Sequence, residues 1–271
     1  MWYAAVVRLR LRLRLGQFGI LFGAGVAGLS VAQTTGLGLV TILPATLVAL
    51  WGMRAWGRRA VAAESERLVR AIAAERTGEA LEHVASLKEA YADYPAMLTQ
   101  LCVNEAAILS AAGRNGDAVR VLEAIDREKL AAPWRPWHAN NLAHCLAEEG
   151  QAERGLTLVR ESIALSESAA SSGEKIVGQD ALEASQLGTL GICLVKTGAH
   201  EEARTHLERS LDLGGPPSVR AIRAYYLGEA LRPLGRVDEA KAAFELALRE
   251  APESTWATRA REALEKLTAY R

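Results

Sequence analysis

The residues in this chain whose types and spacing could do chemistry are a glycine triplet, five histidines and three cysteines. Gly23, Gly25 and Gly28 stand as G-x-G-x-x-G, the spacing that lets backbone approach a pyrophosphate at the start of a helix. A dinucleotide site of that kind also needs an acidic residue about twenty positions on, to hold the ribose hydroxyls. Leu43 and Pro44 take that place, and the first acid is Glu64. Small residues for helix contact explain the triplet better, and a dinucleotide-binding oxidoreductase is the remote alternative. His83, His138, His144, His200 and His206 form no HExxH, and no Ser or Cys sits in a recognisable nucleophile elbow. An odd number of Cys without CxxC argues against both a disulfide framework and a zinc site. The chain therefore reads as non-catalytic, with no cofactor, metal or small-molecule substrate implied.

A second spacing recurs through the body. In each copy a Leu is followed four residues later by Gly, five further on by a small residue, and four beyond that by a large apolar one. The sets are Leu109–Gly113–Ala118–Leu122, Leu146–Gly150–Gly155–Val159, Leu194–Gly198–Ala203–Leu207 and Leu231–Gly235–Ala240–Phe244. Self-similarity at tens of residues means stacked helical repeats rather than one closed core. Past Arg59 the composition is helical, rich in Ala, Leu, Glu and Arg with Gly or Pro at the breaks.

The clearest unit, Ala224–Pro252, resembles the tetratricopeptide repeat, a helix–turn–helix of about 34 residues. Leu227 and Gly228 match its large-then-small pair. Leu231 fills the next turn, Gly235 ends the first helix as a left-handed cap, Ala240 makes the close crossing, and Phe244 and Ala247 pack behind it. Leu190-Gly191 and Leu142-Ala143 match in the preceding copies, and a weaker copy centres on Ala106. The resemblance implies an all-α fold: a tetratricopeptide-type α-solenoid of helical hairpins at about 60–95, 96–132, 136–168, 184–217 and 221–252. Residues 253–271 then form a C-terminal capping helix, with Trp256, Ala260, Leu264 and Leu267 on one face. Cys145 and Cys193 precede the equivalent Leu in neighbouring copies, which marks them as core residues. The longest interval, Gly155 to Ala203, contains Ser166–Gln179, either a loop or a lengthened second helix. Pro133–Trp137 reads as a rigid connector.

Ahead of the repeats, Leu15 to Met53 contains no charged residue and no His. As one helix it would run roughly 59 Å, about twice a ~30 Å hydrocarbon core. Two spans fit, at about 15–32 and 37–56, making residues 1–59 an N-terminal transmembrane helical hairpin. Arg8, Arg10, Arg12 and Arg14 flank one end and Arg54, Arg58 and Arg59 the other, which puts both termini and the repeats in the cytoplasm. Ser30-Val31-Ala32 also fits a signal cleavage site, which would leave one span. A single uncleaved span would export the body. Residues 1–59 hold no acid, so the overall balance of 32 basic and 32 acidic residues leaves the body with an excess of seven acids. A basic head on an acidic body fits a membrane surface and argues against nucleic acid.

In the tetratricopeptide family the first helices line a concave groove that takes a peptide or helix of a partner protein. That resemblance places Gln100, Val103, Asn104, Trp137, Asn140, Asn141, His144, Lys196, Tyr225, Glu229 and Arg232 in the groove. Some members grip a terminal carboxylate with paired Lys, Asn and Arg, and here only Asn104 and Asn141 match. The implied function is a membrane-anchored scaffold for a protein partner. An exported envelope assembly factor with the same solenoid is the alternative.

Overall fold

Good helix formers dominate the chain past Arg59, and in the computed structural model the described part of it folds as helices joined by short turns. The structure describes residues 59, 62–68, 70–71, 76–176 and 178–269. The spans expected at 15–32 and 37–56 and the Gly23–Gly28 triplet lie outside the described residues. Among the described residues no helix is long and apolar enough to cross a membrane. The chain divides into two units, one up to Ala112 and one from Gly113.

In the first unit, helical residues 62–68 precede α1 (Thr77–Ala90) and α2 (Pro95–Ala111). Their shared core includes Leu68, Ala80, Val84, Leu87, Leu101 and Ile108. His83 Nδ1 donates to the buried Glu64 carboxylate at 2.7 Å, and Lys88 on α1 reaches Glu105 on α2 at 2.6 Å.

The second unit holds α3 (Asn115–Glu123), a short 3-10 turn (Ala132–Trp134), α4 (Arg135–Glu148), α5 (Ala152–Ser172), α6 (Gln179–Thr197) and α7 (His200–Asp212). It continues with α8 (Pro217–Leu231), α9 (Val237–Glu250) and α10 (Thr255–Ala269). The recurring Leu–Gly spacing has a direct cause in its turns. Gly150, Gly198 and Gly235 adopt φ of 80°, 86° and 74°, the left-handed conformation that closes a helix. The N–H one residue beyond each then donates back to the carbonyl of the repeated Leu. These bonds are Gln151 to Leu146 at 2.8 Å, Ala199 to Leu194 at 2.9 Å and Arg236 to Leu231 at 3.2 Å. Acids in the first turn of the next helix (Glu153, Glu201, Asp238) complement its dipole.

Small residues sit where helices approach most closely. A methyl group on Gly191 would lie 2.5 Å from Leu207 Cγ, and one on Gly228 2.5 Å from Phe244 Cε1. Gly155 stands where other copies have Ala because a methyl there would meet the Ala143 carbonyl oxygen at 2.8 Å. A polar contact recurs in the same register. Ser162 donates to the Pro136 carbonyl at 2.7 Å, and Ser210 to the Ala184 carbonyl at 2.6 Å. Each buried hydroxyl is thereby satisfied while tying a second helix to its first.

The long interval resolves as extended helices with a short loop between them. α5 runs 21 residues to Ser172 and α6 begins at Gln179, with left-handed Gly173 and Gly178 bounding the link. The Pro133–Trp137 segment departs from a plain connector. Its first part is the 3-10 turn, and Pro136 already lies in the first turn of α4, where its missing N–H leaves no helix bond unmade.

Candidate functional site

Helices α4, α6, α8 and α10 touch in succession, while α5, α7 and α9 each pack behind their predecessor. Side chains from all four front helices converge on one buried carboxylate. Glu148, at the end of α4, accepts a hydrogen bond from the Tyr226 hydroxyl on α8. Lys196 on α6 lies 3.4 Å from its Oε1, and Arg259 on α10 lies 3.7 Å from its Oε2. A contact from α4 to α10 with two helices between requires this face to curve inward, so the second unit has a concave front.

Aromatic rings build the rest of that front. Trp256 from α10 lies 5.5 Å from both Tyr225 and Tyr226, with the ring planes tilted. Arg259 stacks over Trp256 at 4.5 Å, and the Lys196 ammonium lies 5.5 Å from the Tyr226 ring. Both contacts are within cation–π range. Burial, with the nearby Glu148 charge, raises the Tyr226 pKa and keeps its phenol a donor. His144, one turn before Glu148, has its pKa lowered by burial, which outweighs the pull of Glu148. Glu229 pairs with Arg232, the residue that caps the C-terminal end of α8, at 3.0 Å.

The residues expected in a groove divide accordingly. Asn141, His144, Tyr225 and Glu229 are half-buried and Lys196 and Arg232 exposed, on the front helices of the second unit or, for Arg232, at the C-terminal cap of α8. Gln100 and Asn104 are half-buried on α2 of the first unit. Three side chains are spent on packing instead. Val103 is buried, and Asn140 is buried with its amide donating to Ser185 on α6 at 2.9 Å. Trp137 packs against Ala169, Ile176 and Leu182, on the extended part of α5 and the start of α6. Sequence reasoning missed Glu148, Tyr226, Trp256 and Arg259. One signal for Glu148 was present: it stands two residues past Leu146, as Lys196 stands two past Leu194. Opposite charges at one register of stacked helices meet.

Elsewhere the polar groups hold the fold. Arg223 is buried on α8 and donates to the carbonyls of Ser210 (3.1 Å) and Gly214 (2.6 Å), at the C-terminal end of α7. Burial lowers its pKa to about 10, and the negative end of the helix dipole offsets part of that cost. Cys145 and Cys193 are buried, and burial pushes the Cys193 thiol up to about 12. Among the described residues no cluster of His, Cys, Asp or Glu could hold a metal ion.

Residues 224–254 match the tetratricopeptide repeat family. The match covers a single helical hairpin of the second unit. That segment runs from the middle of α8, with Gly228, through the turn at Gly235 and along α9, with Ala240 and Phe244. Among solved structures, the chain is similar to a thermophilic tetratricopeptide-repeat protein of Thermus thermophilus at 18% identity. That alignment covers 74% of this chain and 98% of the other, with a TM-score of 0.49. It is also similar to the TPR2AB domain of yeast Sti1 in complex with pHSP90, at 13% identity over 76% and 96% of the two chains, with a TM-score of 0.33. No curated protein matches the chain.

Proposed function

We propose that this chain is a membrane-anchored scaffold whose repeats receive a peptide or helix of a partner protein on the concave front of α4, α6, α8 and α10. The observation that carries it is that front, where half-exposed polar and aromatic side chains from successive helices share one surface. Asn141, His144, Lys196, Tyr225, Glu229 and Arg232, with Trp256 and Arg259, are the contact residues. On the first unit, considered by itself, Gln100 and Asn104 of α2 are the contact residues. The hairpins divide at about 60–95, 96–132, 136–168, 184–217 and 221–252, and α10 covers the apolar edge of the last of them.

What supports an anchor is the sequence of the head: a charge-free Leu15–Met53 flanked by arginines at both ends. Spans at 15–32 and 37–56 put the repeats on the cytoplasmic side of the cell membrane. Protease added to intact cells and to opened vesicles tests this. A cytoplasmic body is cut only in opened vesicles, and cutting in intact cells transfers the body to the outside. Carbonate washing of membranes tests the anchor itself, because an embedded hairpin stays in the pellet and a peripheral protein is released.

A further inference from the structure

The first unit ends in an apolar tip left open to solvent. Among the described residues four large hydrophobic side chains are exposed, and two of them, Tyr94 (64%) and Met97 (37%), stand together where α1 gives way to α2. Every residue from Ala92 to Met97 is exposed. The Tyr91 ring meets Tyr94 edge to face at 6.0 Å, so the two phenols form one aromatic edge. Asp93 is the single charge in that stretch, and α2 bears none until Glu105. The tip also projects. Lys88 pairs with Glu105, yet α1 ends just past Lys88, whereas nearly three turns of α2, roughly 15 Å, precede Glu105.

Helix direction says which way the tip points. The chain runs through helical residues 62–68, reverses where the Arg76 N–H donates to the Ala71 carbonyl at 2.9 Å, and returns along α1. The contact of Glu64 with His83 fixes the register of this antiparallel pair. Counting back from it, Arg59 falls level with Lys88, so the chain enters the unit at the end where the tip lies. Arg59, Arg58 and Arg54 lead back from there into the charge-free head.

We infer that the Tyr91–Met97 tip rests in the lipid headgroup layer as a second membrane contact, with the two Tyr rings and Met97 at the apolar boundary. This contact rests on the head being a membrane anchor, and adds the surface by which the first unit is held against the bilayer. The chemistry of the tip fits a lipid surface. A tyrosine there places its ring at the edge of the acyl chains and its hydroxyl among the headgroups. Arg54, Arg58 and Arg59 attract anionic lipid at the same end and outweigh the lone Asp93. Because the anchor already keeps the tip at the bilayer, the second contact needs little affinity of its own.

Full-length protein carrying Cys102→Ser is reconstituted into vesicles of phosphatidylcholine and phosphatidylglycerol, with a polarity-sensitive fluorophore on Met97→Cys. Gly78→Cys is the control. It is exposed at the opposite end of α1, roughly 20 Å away, and a side chain there meets nothing within 4 Å. Lipid bearing a nitroxide near the top of its acyl chain should quench the label at 97 by about half and leave the label at 78 unchanged. Tyr94→Asp should lift the tip and return most of the emission at 97. If Met97→Cys does not fold by circular dichroism, Ala96→Cys, exposed on the same tip, carries the label. Equal quenching at the two positions overturns the lipid contact, and so does quenching that survives Tyr94→Asp, which belongs to the fluorophore. A label at 97 that is shielded from water but not quenched assigns the tip to a second copy of the chain and also overturns it. In all three cases the protein still floats with the vesicles, and the anchor reading stands. Protein that does not float with them overturns the anchor and this contact together.

Discussion

Gly191→Ala is expected to destabilise the protein alone and to be rescued by Leu207→Val. A methyl at position 191 falls 2.5 Å from Leu207 Cγ and 2.9 Å from its Cδ2, in a site where Leu207 is fully buried. Overpacking of this kind costs about 1–3 kcal/mol, and replacing a helical Gly by Ala returns about 1 kcal/mol. The net loss is therefore about 1 kcal/mol. Leu207→Val alone removes one methylene from the core, again a loss of about 1 kcal/mol. Independent effects would add to about 2 kcal/mol, but the same chain already carries the compensated pair, Ala143 with Val159, at the equivalent positions. The double variant should accordingly return to near the starting stability, a coupling of about 2 kcal/mol. For a unit of this size each kcal/mol moves the melting temperature by about 2–4 °C. Thermal melts followed at 222 nm on the full-length protein resolve that difference. If the double variant melts as low as the two single losses added together, the large-for-small account of the helix crossing is refuted.

Acid should weaken the fold through its histidines. Burial is the main cause holding His138 and His144 below their ordinary value of 6.5, and His138 also donates to the Leu122 carbonyl at 2.9 Å. Below about pH 6.5 the unfolded chain binds more protons than the folded one, so stability is full above that pH and falls as acid is added. His138→Gln, whose amide can still donate, should flatten this dependence in urea titrations between pH 7 and 5, and an unchanged slope would count against it. The buried Cys145 and Cys193 should resist a water-soluble alkylating agent that labels the half-exposed Cys102, as peptide mapping by mass spectrometry would show. Early labelling of Cys193 would mean that the α4–α6 packing opens readily. Removal of residues 1–57 should leave a soluble helical protein, checked by circular dichroism and gel filtration; an unfolded or membrane-bound fragment would contradict a separable anchor.

The parts of the fold legible in the sequence were those set by backbone and volume. The Leu–Gly spacing marks the left-handed helix closures at Gly150, Gly198 and Gly235, and Gly191 and Gly228 mark close crossings, because only glycine meets those demands without strain. Whether Ser166–Gln179 would be loop or helix was not legible. Ser and Ala are tolerated in either, and the packing of Ala169, Ile176 and Trp137 decided it. The site was harder to read, since a repeat register assigns a face without saying which side chains on it are used in packing. Asn140 finds Ser185, Val103 is buried, and Trp137 turns to the extended α5. Glu148, Tyr226 and Arg259 meet only because the face curves enough to bring α4 to α10. That curvature accumulates over several repeats and is written in no single one.

The most direct test of a partner-binding front is site-specific photo-crosslinking in native membranes. A photoreactive residue is placed at Lys196 or Tyr225 on the front helices, and in parallel at Arg160 or Lys241 on the second helices. A groove that receives a partner gives a discrete protein adduct from the first pair of positions and none from the second. Adducts confined to Arg160 and Lys241 would contradict it and move the working surface to the back of the repeats.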